Sequence, residues 1–178
     1  MIAKLNSKRF KFIDESGGNL AMGRGYGRAP RGERAVGSGP QNCGANIPML
    51  ASLGRSGLAA LMTVEGATDG DVFKVYGEEV LGPTLRRGDI GVMDNLGAHK
   101  VSGVREAIAR RGAKLLYLPP YSPDLSPLEP CWSQIKTVLR KAAARTREAL
   151  EGALKQAIGT VSASDAAAWL THCGYALN

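Results

Sequence analysis

A chain of 178 residues suffices for one domain with a substantial core, and 44% apolar with 22% charged residues excludes a disordered or fibrous protein. No stretch reaches the roughly 18 uninterrupted apolar residues of a membrane span, and the opening MIAKLNSKRFKF lacks a signal-peptide core with a cleavage site. The net charge of +7 suits either a polyanionic partner or a solvated basic surface.

The first expected element is a strand over 9–14, broken by Gly17 and Gly18. Residues 23–46 are rich in Gly, Arg and Pro and read as a loop. Two apolar runs, 47–53 and 58–64, flank Gly54-Arg55-Ser56-Gly57 and predict a β-hairpin. Asp69 is positioned to cap a helix that uses Val72, Phe73, Tyr76 and Val80 on one face and stops by Gly82-Pro83. A strand is expected at 90–94. A helix marked by Val101, Val104 and Ile108 follows, with Gly112 just past its end. A second strand spans 114–118 and ends at Pro119-Pro120. A turn stiffened by Pro123, Pro127 and Pro130 leads into a strongly helical pattern.

In that last helix Leu128, Trp132, Ile135, Leu139 and Ala142 form an apolar stripe. Glu129 lies one position off it and shares a face with Ser133, Lys136 and Arg140. Trp132, lying on the stripe, reads as core rather than as a base-stacking residue. Two more helices are expected at 147–160 and 164–173, the latter capped by Ser164. The order βββαβαβα followed by helices predicts an α/β sandwich with a mixed sheet, in one domain over 1–178 with a core of about 9–175.

The charge is clustered. Arg24, Arg28, Arg31 and Arg34 stand in the loop against Glu33 alone, and Lys136, Arg140, Lys141, Arg145 and Arg147 follow one another without an acid. Two separate clusters favour phosphate contacts over a uniformly charged shell. Cys43, Cys131 and Cys173 are odd in number and not at metal-ligand spacing, which suits reduced thiols in a cytoplasm.

Three acids stand at element ends. Asp14 closes the run Phe10-Lys11-Phe12-Ile13, Asp94 closes Ile90-Gly91-Val92-Met93, and Glu129 lies in the first turn of the helix. Exactly such scattered carboxylates can be gathered by folding into a site for hard divalent cations. Each also has an ordinary reading: a turn residue for Asp14, an Asx-turn for Asp94, and a capping box Ser126-Pro127-Leu128-Glu129 for Glu129. Asp124, between two prolines, reads as a turn former that points away from the other three.

The words around these acids are more specific. Asp94 sits in VMDNLGAHK at 92–100, Glu129 in LPPYSPDLSPLEPCW at 118–132, and 34 residues separate the two. In these segments the chain resembles the catalytic domain of bacterial insertion-sequence transposases of the insertion sequence 630 group, in the mariner superfamily. That family carries an Asp, Asp, Glu triad with the same gap and a segment reading SPDLNPIE, against SPDLSPLE here.

The resemblance covers nearly the whole chain and implies a ribonuclease H-like fold, with Asp14, Asp94 and Glu129 as catalytic and metal-binding residues. It implies Mg²⁺ or Mn²⁺, two ions, with Asp14 bridging them. It implies DNA as partner, both transposon ends and target, and a homodimer or a separate chain bearing a helix-turn-helix. It also implies contacts to DNA from Arg28, Arg31, Arg34, His99, Lys100, Lys136 and Arg140, the first three within Gly27–Arg34, a GRAPRGER-like stretch. A nucleoid-associated, cytoplasmic location follows. Relatives carry a helix-turn-helix region before the first Asp, and only thirteen residues precede Asp14 here, so that region is expected to be missing. The rival expectation is a non-enzymatic remnant that binds DNA weakly or co-assembles with intact transposase.

Overall fold

The computed structural model describes residues 7–42, 44–95 and 103–176. Among these, five strands form one sheet in the order β3-β2-β1-β4-β5. The strands are β1 (Phe10–Asn19), β2 (Asn46–Gly54), β3 (Gly57–Thr63), β4 (Ile90–Met93) and β5 (Lys114–Tyr117). β1, β2 and β3 are antiparallel, while β4 and β5 run parallel to β1. The expected hairpin and mixed sheet are both present.

β1 differs from expectation. It runs on through Gly17 and Gly18 to Asn19, paired with β2 along its length. A Cβ at Gly17 would meet Asn46 Oδ1 at 2.9 Å, so the glycine permits close pairing instead of ending the strand. Residues 20–42 and 44–45 form no strand or helix, where Gly, Arg and Pro predict a loop, and residues 24–42 are exposed.

Side chains alternate along the strands, and the two faces carry separate cores. On one face Phe10, Phe12, Met49, Leu53 and Val92 pack against α3 (Leu128–Ala142), α4 (Arg147–Gly159) and α5 (Ala163–His172). On the other Ile13, Leu50, Met93 and Leu115 pack against Phe73, Tyr76, Leu81, Val104 and Ile108. These last come from α1 (Gly70–Val75), the wider π-type turn Tyr76–Leu81 that continues it, and α2 (Val104–Arg110). Asp69 caps α1 as expected, its Oδ1 accepting the N–H groups of Asp71 and Val72 at 3.1 and 3.0 Å. Gly112 lies just past α2 with φ +69°, a conformation glycine adopts freely. Val101 lies outside the described residues.

Two details of the helices are corrected. α5 is capped by Ser162, not Ser164: Ser162 Oγ accepts the Asp165 N–H at 3.1 Å and Asp165 Oδ2 accepts the Ser162 N–H at 2.9 Å. The acid three residues after Ser162 makes that the better cap. On α3 the buried stripe is Leu128, Cys131, Trp132, Ile135 and Leu139, whereas Ala142 is exposed. The helix ends there, with Ala143 in the left-handed region at φ 48°. Cys131 and Cys173 are free thiols, and Cys43 lies outside the described residues. Burial pushes the Cys131 thiol up to about 12, with the charge of Asp165 adding to it, so it behaves as core.

Candidate active site

The pairing of β1 with β4 dictates where the first two acids meet. Phe12 stands level with Val92 and Ile13 with Met93. The next residues are Asp14, still within β1, and Asp94, the first residue past β4, and the two are near enough for the charge of Asp94 to act on Asp14. Alternation then puts both acids on the face that carries Phe12 and Val92, the face covered by α3. Two acids 80 positions apart in the chain thus become neighbours because two parallel strands share a register.

α3 supplies the third. Its buried stripe lies on the sheet, and Glu129, one position off the stripe, projects from the helix start. The expected capping box is absent: α3 has no side-chain cap, and the Glu129 N–H donates instead to the Ser126 carbonyl at 3.2 Å. The Glu129 carboxylate is therefore not used in ending the helix. Asp14, Asp94 and Glu129 line one cavity of about 420 Å³, together with Asn95, Tyr121 and Ser126. Phe12, Val92 and Leu118 form part of its apolar wall.

Asp14 is held from two sides. The Glu15 N–H donates to Oδ1 at 2.8 Å, and the indole N–H of Trp132 donates to Oδ2 at 3.2 Å. Burial pushes the Asp14 carboxyl up from 3.8 to about 6. The Glu15 N–H opposes the rise, the negative charges of Asp94 and Glu129 add to it, and the indole N–H opposes it. Ionisation of Asp14 in this environment is therefore costly. A cation placed among the three acids would relieve that cost.

The donor set fits a hard cation. All three groups offer carboxylate oxygens, the donors that Mg²⁺ and Mn²⁺ select. Among the described residues no group of three or more His, Cys, Asp or Glu side chains is placed to hold one metal ion together. That is compatible with ions that keep several waters and take only one or two carboxylates each. A carboxylate has about four lone-pair sites, so Asp14 retains acceptor capacity on both oxygens beyond its two N–H partners.

Asp124 behaves as the turn former expected of it. It lies on a short helical turn, Pro123–Leu125, exposed and outside the cavity lining. Burial, and then the charges of Cys173 and Asp124, push the Tyr175 hydroxyl up to about 12. Tyr175 itself donates to the Leu125 carbonyl at 2.7 Å and packs its ring 4.9 Å from that of Phe12. It braces the approach to Glu129, a role with no signal in the sequence.

The basic residues divide into free and internally engaged ones. Lys136 and Arg140 continue down α3 on the Glu129 side and line a groove with Asn19, Gly23, Gln41 and Asn42. Arg24 and Arg140 both line an adjoining groove, so the loop and α3 are brought together. Arg28, Arg31 and Arg34 are exposed on the loop and line neither groove. Arg145 is engaged within the protein: its Nη1 donates to the carbonyls of Leu20, Met22 and Ala144 at 3.0, 2.9 and 3.2 Å, pinning the start of the loop. Arg147 is paired with Glu65 and Glu151. His99 and Lys100 lie outside the described residues.

Sequence reasoning missed two features of the site. Trp132 is core, 3% exposed, yet its indole nitrogen touches an acid of the cavity. Tyr121 is fully exposed at the cavity rim with φ 54°, a conformation that costs a non-glycine residue energy. A Tyr between two proline-containing pairs was the only available signal.

A mixed sheet with one acid on β1, a second just past the end of the adjacent parallel strand β4 and a third in the first turn of α3 is an arrangement suited to metal-dependent phosphodiester chemistry. Residues 9–151 match the DDE superfamily endonuclease family, and the chain belongs to that family. Among solved structures it is similar to the Mos1 transposase paired-end complex with left transposon end, at 15% identity and a TM-score of 0.76, over 94% of this chain and 52% of that one. It is similar also to the mariner Mos1 paired end complex with Mg, at 17% identity and a TM-score of 0.68, over 93% of this chain and 51% of that one. The catalytic domain of Mos1 mariner transposase aligns at 13% identity and a TM-score of 0.63, over 93% of this chain and 77% of that one. The shared fold is ribonuclease H-like, as expected. The chain spans about half the length of the Mos1 transposase chains in those complexes. No curated protein matches it in sequence. Among the described residues no helix is long and apolar enough to cross a membrane.

Proposed function

We propose that residues 1–178 form one catalytic domain of a DNA transposase of the insertion sequence 630 group, acting on transposon ends and target DNA. The observation that carries this reading is the meeting of Asp14, Asp94 and Glu129 at one cavity in a chain of the DDE superfamily endonuclease family.

In the reading, Asp14, Asp94 and Glu129 would hold two Mg²⁺ or Mn²⁺ ions. When bound, such ions lower the pKa of a water or 3′-hydroxyl nucleophile and neutralise charge on the attacked phosphodiester and its leaving oxygen. The protein's own part is positioning. The Glu15 and Trp132 N–H groups hold the Asp14 carboxylate, and the Phe12–Val92–Leu118 wall limits water. Lys136 and Arg140 take phosphates along the groove beside α3. Arg28, Arg31 and Arg34 reach the backbone from the exposed loop, and His99 and Lys100, which follow Asp94 in the sequence, contact DNA as well. Attack of water on a phosphodiester breaks its P–O3′ bond and leaves a 3′-hydroxyl and a 5′-phosphate; attack of that hydroxyl on a target phosphodiester then breaks the target's P–O3′ bond, releasing a target 3′-hydroxyl as the element is joined. A helix-turn-helix segment outside these residues, on this chain or another, supplies recognition of the ends, and the complex works as a dimer in the nucleoid-bearing cytoplasm.

The test supplies supercoiled DNA and Mn²⁺ to the chain, alone and fused to a helix-turn-helix domain, beside a Glu129→Gln variant. Nicking by the wild type that the variant lacks supports the reading. If both bind DNA and both are equally inert, the chain is a non-enzymatic remnant instead.

A further inference from the structure

The second contact to Asp14 comes from a residue with no chemistry of its own. Trp132 is 3% exposed and belongs to the core formed by Phe12, Leu128 and their neighbours. A side chain there for packing alone needs no polar atom. A buried indole N–H requires an acceptor, and here the acceptor is Asp14 Oδ2 at 3.2 Å, while the Glu15 N–H occupies Oδ1 at 2.8 Å.

The geometry has a specific consequence. The terminal torsion of an Asp side chain is broad and roughly two-fold. One N–H on one oxygen leaves the carboxylate plane free to swing about that contact. Donors on both oxygens, one from β1 and one from α3, fix the plane. Each oxygen then keeps acceptor capacity for another partner. Trp132 also lies three residues after Glu129, so one helix delivers both an acid of the cavity and the group that orients another acid.

Resting on the reading of the three acids as a metal site, we propose that Trp132 is a positioning residue whose indole N–H holds the Asp14 carboxylate in its metal-binding orientation. A group hydrogen-bonded to a metal ligand typically changes metal affinity about 10–100-fold when removed.

Mn²⁺ binding to the full chain, followed by calorimetric titration, tests this on four proteins: wild type, Trp132→Phe, Asp14→Asn and Ile135→Val. Phe keeps an aromatic ring and removes the N–H. Ile135 is fully buried on the same helix face and controls for packing. Trp132→Phe is expected to weaken Mn²⁺ binding by about 10-fold or more, with Ile135→Val within about two-fold of wild type. The chain has only two tryptophans, so a ¹⁵N spectrum of the indole N–H groups gives a second readout on the wild-type protein. Mg²⁺ is expected to move the Trp132 resonance and leave that of Trp169, and Asp14→Asn to abolish the movement. If the wild type binds no Mn²⁺, or Asp14→Asn binds it as well as wild type does, the metal-site reading itself falls. If Asp14→Asn weakens binding and Trp132→Phe does not, only the role of Trp132 falls. Should Trp132→Phe fail to fold, a Trp132 resonance indifferent to saturating Mg²⁺ overturns the proposal by itself.

Discussion

Replacing Asp14 by Asn should change the stability of the metal-free protein in opposite directions at high and low pH. The Asp14 carboxyl sits at about 6 in the folded chain, against an ordinary 3.8, chiefly through burial and then through the charges of Asp94 and Glu129. A raised acid of this kind favours folding when protonated. That contribution is fully present below pH 4 and is lost as pH rises through about 6. At roughly 1.4 kcal/mol per pH unit, the loss above pH 7 is about 3 kcal/mol.

Asn removes this penalty but offers only one acceptor oxygen. Two N–H groups converge on the site, from Glu15 and Trp132, so one of them faces an NH₂ group, at a cost of about 1–2 kcal/mol. The variant should therefore be more stable than wild type by about 1–2 kcal/mol at pH 8, and less stable by a similar amount at pH 4. Urea unfolding of both proteins in EDTA at the two pH values measures the difference. A stability difference that is the same at pH 4 and pH 8 would show that Asp14 is not strained in the native state, and the electrostatic account of the site would be wrong.

Other expectations follow from the same geometry. Mn²⁺ at about 100 times its dissociation constant should add about 2.7 kcal/mol, a rise in Tm of roughly 5–10 °C for a domain of this size. In Asp94→Asn that rise should be much reduced, and an undiminished rise in a thermal melt would place the ion elsewhere. Glu129→Ala should alter stability by no more than about 0.5 kcal/mol, since α3 has no side-chain cap to lose. Ser162→Ala, which removes the capping box of α5, should cost about 1 kcal/mol in the same denaturation assay. Changing Lys136 and Arg140 together to Gln should weaken duplex binding regardless of sequence and lower the slope of log affinity against log salt by about 2. An unchanged slope would remove that groove from the DNA path.

Local pattern made much of this protein legible. The hairpin follows from two apolar runs about a four-residue loop, the α1 start from Asp69, and α3 from its apolar stripe. Such features depend on residues a few positions apart, and both periodicity and capping are local physics. The words around Asp94 and Glu129 likewise marked the acids before any geometry was known. Local signals also misled where a neighbouring strand or helix had the deciding contact. Gly17 and Gly18 looked like breakers but pair along β2, and Ser126 looked like a cap but lines the cavity.

What only the tertiary structure decided is how distant residues meet. The parallel pairing of β1 with β4 brings Asp14 and Asp94 to one cavity, and no local pattern encodes which strands become neighbours. The same holds for Trp132, whose spacing marks it as core but whose indole N–H finds Asp14 across the interface between helix and sheet. Arg145 carries the charge of a phosphate ligand in the sequence, yet it is held by the carbonyls of Leu20 and Met22. The sequence by itself determines which residues are apolar, charged or stiff, because those properties belong to single side chains. Partnership belongs to pairs brought together by packing, and it is packing that turns three scattered acids into one site.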